Sequence, residues 1–180
     1  MNIDSLLSTK ERVKILRGIL YRKEILGVNR IAKELDVSNG LVSLYFDILV
    51  RENILKRRYG KFILQDSIAT KALKILLNLS VFDRDFFRKY KFIRSAGLYG
   101  SMVKGTNTND SDIDLWVVIS KTTDEKLAGL TSELQQTFGN VKPLYLTKEK
   151  LESLKKTEHT FYYSLLFSSI VIYGDGIETV

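Results

Sequence analysis

The sequence predicts an α+β protein in two parts: an N-terminal helical module closed by a β-hairpin, then a small mixed β-sheet flanked by helices. Three observations predict it. Apolar residues recur at helical spacing through the first third and give way to two short β-prone runs around Gly60. Gly100-Ser101 is followed, after ten residues, by Asp112-Ile113-Asp114 at the head of an apolar run. Beyond that run, helix-like and strand-like segments alternate to the end of the chain.

The chain has 180 residues, room for one ordinary domain or two small ones. It contains no apolar run of about 18 residues or more, so a membrane partner is not expected. The opening "MNIDSLLSTKERVK" lacks the basic start, apolar centre and small-residue cleavage site of a signal peptide. With no cysteine there are no disulfides and no thiolate metal sites, and the expected location is cytoplasmic. The formal net charge is +7, unevenly spread: residues 1–66 hold 13 Lys/Arg against 8 Asp/Glu, the remainder 15 against 13. A basic excess in the first third is the footprint of a polyanion partner, and also of a surface that is merely soluble.

Thr9 can cap a helix carrying Glu11 in its first turn and Val13, Leu16, Ile19 and Leu20 as its apolar stripe. A second helix, "NRIAKEL", puts Ile31, Ala32 and Leu35 on one face. Ser38 caps a third, in which Leu41, Leu44, Tyr45, Ile48 and Leu49 form the expected buried side. "NILKRRYGKFIL" then reads as a hairpin turning at Gly60.

This order, over roughly residues 9–65, resembles the winged helix-turn-helix family of DNA-binding domains. The resemblance implies a third helix in the major groove and a hairpin wing on the phosphates, with double-stranded DNA as partner and a homodimer as the expected assembly. Ser38, Asn39 and Ser43 are then the candidate residues for the groove. Lys56, Arg57, Arg58 and Lys61 are candidates for the phosphates, which supply affinity without sequence information. Asp47 would repel the DNA backbone, so the helix's N-terminal end should approach closest. A solvated face used for protein contacts accounts for the same polar residues.

The joint, residues 67–90, lacks a Gly/Ser- or Pro-rich linker. Asp66 or Ser67 can cap a helix whose apolar face is Ile68, Ala72, Ile75, Leu76 and Leu79, and Asp83 can cap a second that carries Phe86, Phe87 and Tyr90 into a core. The domain plan is therefore 1–66, connecting helices over 67–90, and a second domain over 91–180.

Ile93–Tyr99 reads as a strand broken by Gly100, and Ser101 as the cap of a following helix. Asp112 and Asp114, two residues apart on the next strand, point to one face. Adjacent carboxylates repel unless something positive lies between them, and hard oxygen ligands suit Mg²⁺ that shares substrate phosphates. The Gly100-Ser101 turn offers backbone N–H groups and a hydroxyl to such a phosphate.

Gly100-Ser101, ten residues, then Asp112-Ile113-Asp114 resembles the mark of the DNA polymerase β nucleotidyltransferase superfamily, and most nearly its minimal nucleotidyltransferases. The resemblance covers about Lys91 to Gly174. It implies that Gly100, Ser101, Lys104, Gly105 and Ser111 hold a nucleoside triphosphate. It also implies that Asp112 and Asp114 are the catalytic pair and hold Mg²⁺ or Mn²⁺ for in-line transfer of a nucleotidyl group to a hydroxyl. Lys104 stands where that family usually has arginine, offering a point charge rather than a fork. Members pair with small helical toxin-type proteins, which makes such a protein a candidate partner. The family's third carboxylate lies on a later strand, and the matching segment, Asn140 to Thr147, holds no Asp or Glu. Either that ligand comes from elsewhere or catalysis is reduced or lost. Helices over "TTDEKLAGLTSELQQTF" and "KEKLESLKK", a strand at Val141–Leu146 and a last strand at Ile170–Tyr173 complete the expectation, with His159 on the surface. The functional alternatives are a DNA-binding protein with a nucleotidyl-transferring domain, a non-catalytic transcriptional regulator that uses the domain to sense nucleotides or dimerise, and a transferase whose N-terminal module recruits RNA or protein.

Overall fold

The structure, a computed structural model, describes residues 2–177. The termini of the two expected domains, Met1 and residues 178–180, therefore lie outside the described residues. Chain contacts divide it into two compact units, one running to Leu77 and taking in Asn107–Asp110, the other Asn78–Thr106 with Ser111 onward. Among the described residues no helix is long and apolar enough to cross a membrane.

The first unit begins with a short helix, α1 (Ile3–Leu7), that the periodicity did not disclose, followed by α2 (Lys10–Ile19), α3 (Val28–Leu35) and α4 (Asn39–Arg51). Thr9 and Ser38 cap α2 and α4, accepting from the backbone N–H groups of Arg12 and Leu41. The hairpin is β1 (Leu55–Arg58) against β2 (Lys61–Leu64), antiparallel, with Arg58 opposite Lys61. Tyr59 and Gly60 form its two-residue turn at φ 47° and 73°, the left-handed conformations that match strand twist. Leu26 adds a single bridge to Phe62, donating to its carbonyl at 2.7 Å and accepting from its N–H at 3.0 Å.

Two expected apolar faces are rotated. In α4 the buried side chains are Val42, Tyr45, Phe46 and Leu49, while Leu44 is 68% exposed. "LVSLYFDILV" carries two overlapping apolar stripes, and tertiary partners select one: Phe46 packs edge-on against Phe62 at 4.8 Å, and Tyr45 donates to the Leu6 carbonyl of α1 at 2.8 Å. Such an aromatic pair contributes about 0.5–1.5 kcal/mol beyond its burial.

In the next helix, α5 (Ile68–Leu79), Ser67 accepts from the Thr70 N–H as expected, yet Ile68 is 89% exposed and the buried residues are Thr70, Leu73, Lys74, Leu77 and Asn78. Polar atoms with definite partners turn it. Lys74 Nζ donates to the Asn107 carbonyl at 2.7 Å, and Asn78 Nδ2 to the Met102 carbonyl at 2.8 Å. Burial lowers the Lys74 ammonium from its ordinary pKa, with Asp66 opposing that shift. Asn109 N also donates to the Tyr21 carbonyl at 3.1 Å, and Lys23 lies 3.6 Å from Asp110, so the segment Asn107–Asp110 is held within this unit.

The second unit runs α6 (Arg84–Arg88), β3 (Ile93–Leu98), α7 (Ser101–Lys104), β4 (Ile113–Ile119), α8 (Asp124–Phe138), β5 (Val141–Leu146), α9 (Lys148–Thr157), α10 (His159–Phe167) and β6 (Ile170–Tyr173). Asp83 caps α6, which buries Phe86 and Phe87 as the sequence implies. The sheet order is β5-β4-β3-β6, with β4 and β5 parallel and both β3 pairings antiparallel. One face packs Leu115, Val117 and Ile119 against Leu130 and Leu134 of α8 and the α6 phenylalanines. The other packs Trp116 and Val118 against Leu151, Leu154, Tyr162 and Leu165 of α9 and α10. Both faces are covered, so β4 is buried along most of its length.

Gly97 lies directly across from Trp116, and a Cβ there would stand 2.2 Å from the indole and 2.8 Å from the Ile170 carbonyl oxygen. Gly97→Ala is accordingly expected to cost about 1–3 kcal/mol in urea unfolding. Gly129→Ala, on an exposed position of α8 with nothing within 4 Å, should gain about 0.5–1 kcal/mol in the same measurement.

Candidate functional site

β3 delivers the chain to Gly100 while the Tyr99 N–H donates to the Asp114 carbonyl at 3.1 Å. Gly100 takes φ 69°, and a Cβ on it would lie 2.2 Å from Asp114 Oδ2. Glycine is therefore required twice over, by backbone conformation and by the carboxylate that fills the space a side chain would need. Gly100 itself is the N-cap of α7 and Ser101 its first residue, which corrects the expectation that the Ser101 side chain caps this turn. Gly105, at φ 65°, ends the helix after one turn, its N–H and that of Thr106 both directed to the Ser101 carbonyl.

Asp112 sits one residue ahead of β4 and Asp114 within it, on the same face as Trp116 and Val118. Burial first, and the neighbouring Asp112 charge second, hold the Asp114 carboxyl above its ordinary pKa, with Lys142 opposing. Lys142 arrives through the parallel ladder. The Ile113 N–H donates to the Asn140 carbonyl at 2.8 Å, Ile113 then pairs with Val141, and Asp114 with Lys142. The Lys142 ammonium donates to Asp112 Oδ2, and Asn140 Nδ2 donates to Asp112 Oδ1. That hydrogen bond, then the Asp112 charge, raise the Lys142 pKa.

A divalent ion at this pair would meet nitrogen donors already in place. Both Asp112 oxygens already accept from nitrogen donors, and a cation bridging Asp112 and Asp114 would have to displace the ammonium. Among the described residues no group of three or more His, Cys, Asp or Glu side chains could hold a metal. Of the later-strand positions where the resemblance expects a third carboxylate, Lys142, Pro143 and Leu144, the one beside Asp114 is Lys142.

The other candidates lie as follows. Lys104 is the exposed last residue of α7, Gly105 is buried, and Ser111 is half-buried ahead of Asp112. In the first unit, Asn39 and Ser43 are exposed on α4, and Lys56, Arg57, Arg58 and Lys61 are exposed on the hairpin. The Arg57 guanidinium leans over the Phe62 ring at 5.7 Å. Ser38 is exposed, but its hydroxyl is already the α4 cap. Sequence reasoning missed Asn140 and Tyr99. Asn140 could have been found by aligning the two β-runs in parallel, which puts it across from the start of β4 and beside Asp112.

A Gly-Ser turn moulded to a strand-borne Asp-x-Asp, on a small mixed sheet, defines a nucleotidyltransferase-type domain. The polymerase beta nucleotidyltransferase family profile matches residues 84–177, about half the chain, and the protein belongs to that family. A crystal structure from Sulfolobus solfataricus, of a protein assigned as a nucleotidyltransferase, is similar at 15% identity, covering 58% of this chain and 83% of its own, with a TM-score of 0.36. No curated protein sequence matches the chain.

Because its folded-state pKa is raised, ionised Asp114 costs the fold stability at neutral pH. The cost is absent below the ordinary carboxylate range, where Asp114 is protonated both folded and unfolded, and develops as the pH rises through the folded pKa. Asp114→Asn should therefore be more stable than wild type at pH 7 and lose that advantage near pH 3, read by urea unfolding at the two pH values.

Proposed function

We propose that the protein is a DNA-binding regulator in which a winged helix-turn-helix module grips duplex DNA and the nucleotidyltransferase-family domain has given up nucleotidyl transfer. The observation that carries the second half is Lys142, an ammonium on Asp112 at the strand position beside Asp114. In-line transfer needs positive charge delivered to the phosphoryl group and an acceptor hydroxyl deprotonated nearby. A lysine bound to one of two carboxylates supplies no base and occupies the charge that would recruit the metal.

The DNA half is supported by the first unit. The helices α2, α3 and α4 are followed by a hairpin that Leu26 extends with its bridge to Phe62. Asn39 and Ser43 are exposed on α4, and so is Leu44, whose apolar tip suits a thymine methyl group. Four cations stand on the hairpin strands around Tyr59, itself fully exposed at the turn.

A second reading, Mg²⁺-dependent transfer to a hydroxyl acceptor, has one specific observation in its favour: Gly100 is shaped to Asp114 as the family motif requires. In it Ser101, Lys104, Gly105 and Ser111 hold the triphosphate, and the acceptor sits on a partner protein. Incubation with labelled ATP, CTP, GTP and UTP plus Mg²⁺ or Mn²⁺ separates the two. No product is expected; transfer by the wild type that the Asp112→Asn/Asp114→Asn double variant lacks would establish the second reading instead.

For the DNA half, affinity for duplex DNA should fall steeply with salt. Arg57→Ala/Arg58→Ala should weaken it by about tenfold near 0.1 M salt and make the logarithmic salt slope shallower by about 1–2. Fluorescence anisotropy over a salt series reads both, and binding indifferent to salt or to the double variant would count against DNA as the partner.

A further inference from the structure

The charge balance at the aspartate pair is written into the β4–β5 ladder. Asp114 pairs with Lys142 between two well-fixed neighbours, Ile113 with Val141 and Leu115 with Pro143. Val141 and Leu146 are fully buried, on opposite faces of the sheet, so a slip of β5 by one residue would put Lys142 into the apolar cluster that Val141 fills and take Leu146 out of its own. Lys142 shares a face with Asp114 by strand alternation. The fold therefore sets the Lys142 side chain beside the aspartates, and its solvent-exposed ammonium donates to Asp112.

Two donors from β5 and the residue before it, Lys142 Nζ and Asn140 Nδ2, take one oxygen each of Asp112. A metal on Asp112 would share those oxygens with two nitrogen donors, and the Asp114 carboxylate is crowded on one side by the Gly100 backbone. Mg²⁺ demands near-octahedral oxygen ligation and gives up water reluctantly, so a carboxylate pair of which one member already carries an ammonium is a poor host. An ammonium, by contrast, is a compact charge with three donors and needs no such shell.

We propose that Lys142 is the resident counterion of the Asp112–Asp114 pair: the site balances its charge without a divalent cation, and becomes a divalent-cation site when position 142 is made acidic. The inference deepens the non-transferring reading given above and rests on it, but is independent of the DNA-binding module. It makes a single residue the difference between a site closed to metal and one open to it.

The test uses the full chain and manganese alone, with the loss of the free-ion paramagnetic resonance signal as readout and thermal unfolding in parallel. Wild type should show no saturable uptake up to about 1 mM Mn²⁺. Lys142→Asp should take up Mn²⁺ at least about tenfold more tightly, and its melting temperature should rise with the ion. Adding Asp112→Asn to that variant should abolish both effects. Saturable uptake by wild type that Asp112→Asn removes would overturn the proposal, and so would a folded Lys142→Asp that gains nothing. If three carboxylates keep Lys142→Asp from folding, Lys142→Gln decides: it removes the charge at similar length, and tighter Mn²⁺ uptake supports the proposal while unchanged uptake overturns it. Because no nucleotide or DNA is present, these outcomes are separate from the transfer assay, whose positive result would end the regulator reading by itself.

Discussion

Parallel pairing of β4 with β5 is the constraint from which the site follows. Once the Ile113 N–H bonds the Asn140 carbonyl, every later neighbour is determined, and Asp114 must face Lys142. The register is held by apolar residues on both faces of the sheet, not by the charges themselves. The ion pair is a dependent of the core: removing it would leave the ladder in place, whereas losing the ladder would scatter the site.

On its other side β4 leans on β3, and there the accommodation is made by absence. Gly97 leaves room for the Trp116 indole and Gly100 for the Asp114 carboxylate, two β4 side chains on the same face. The strand that carries the aspartates therefore also carries the bulk, and its neighbour gives way. In the first unit the left-handed turn at Tyr59-Gly60 directs a tyrosine outward among basic residues, a conformation in which a bulky side chain is unusual.

The mixed sheet, the order of its elements and the Gly-Ser/Asp-x-Asp motif were legible because each has a local cause: alternation, capping and glycine breaks. Thr9, Ser38, Ser67 and Asp83 all cap the helices their side chains suggest. Faces were less legible where two apolar stripes overlap, as in α4, or where buried polar side chains defeat hydropathy, as with Lys74 and Asn78 in α5. Periodicity ranks residues by their liking for water and cannot see the two carbonyl oxygens that draw those side chains inward. The lack of an acidic residue in β5 could be read directly, but the ammonium's grip on Asp112 needed strand direction and register, which are properties of the sheet and not of either segment.

The segment Asn107–Asp110 belongs to the first unit although its flanks on both sides belong to the second. The chain therefore passes from one unit to the other three times, and no single cut of the polypeptide yields two whole pieces. A fragment starting at Asn78 would keep those four residues but lose Tyr21, Lys23 and Lys74, the groups that hold them. A gene-shuffling swap at the Leu77/Asn78 boundary would therefore also have to carry or rebuild residues 107–110.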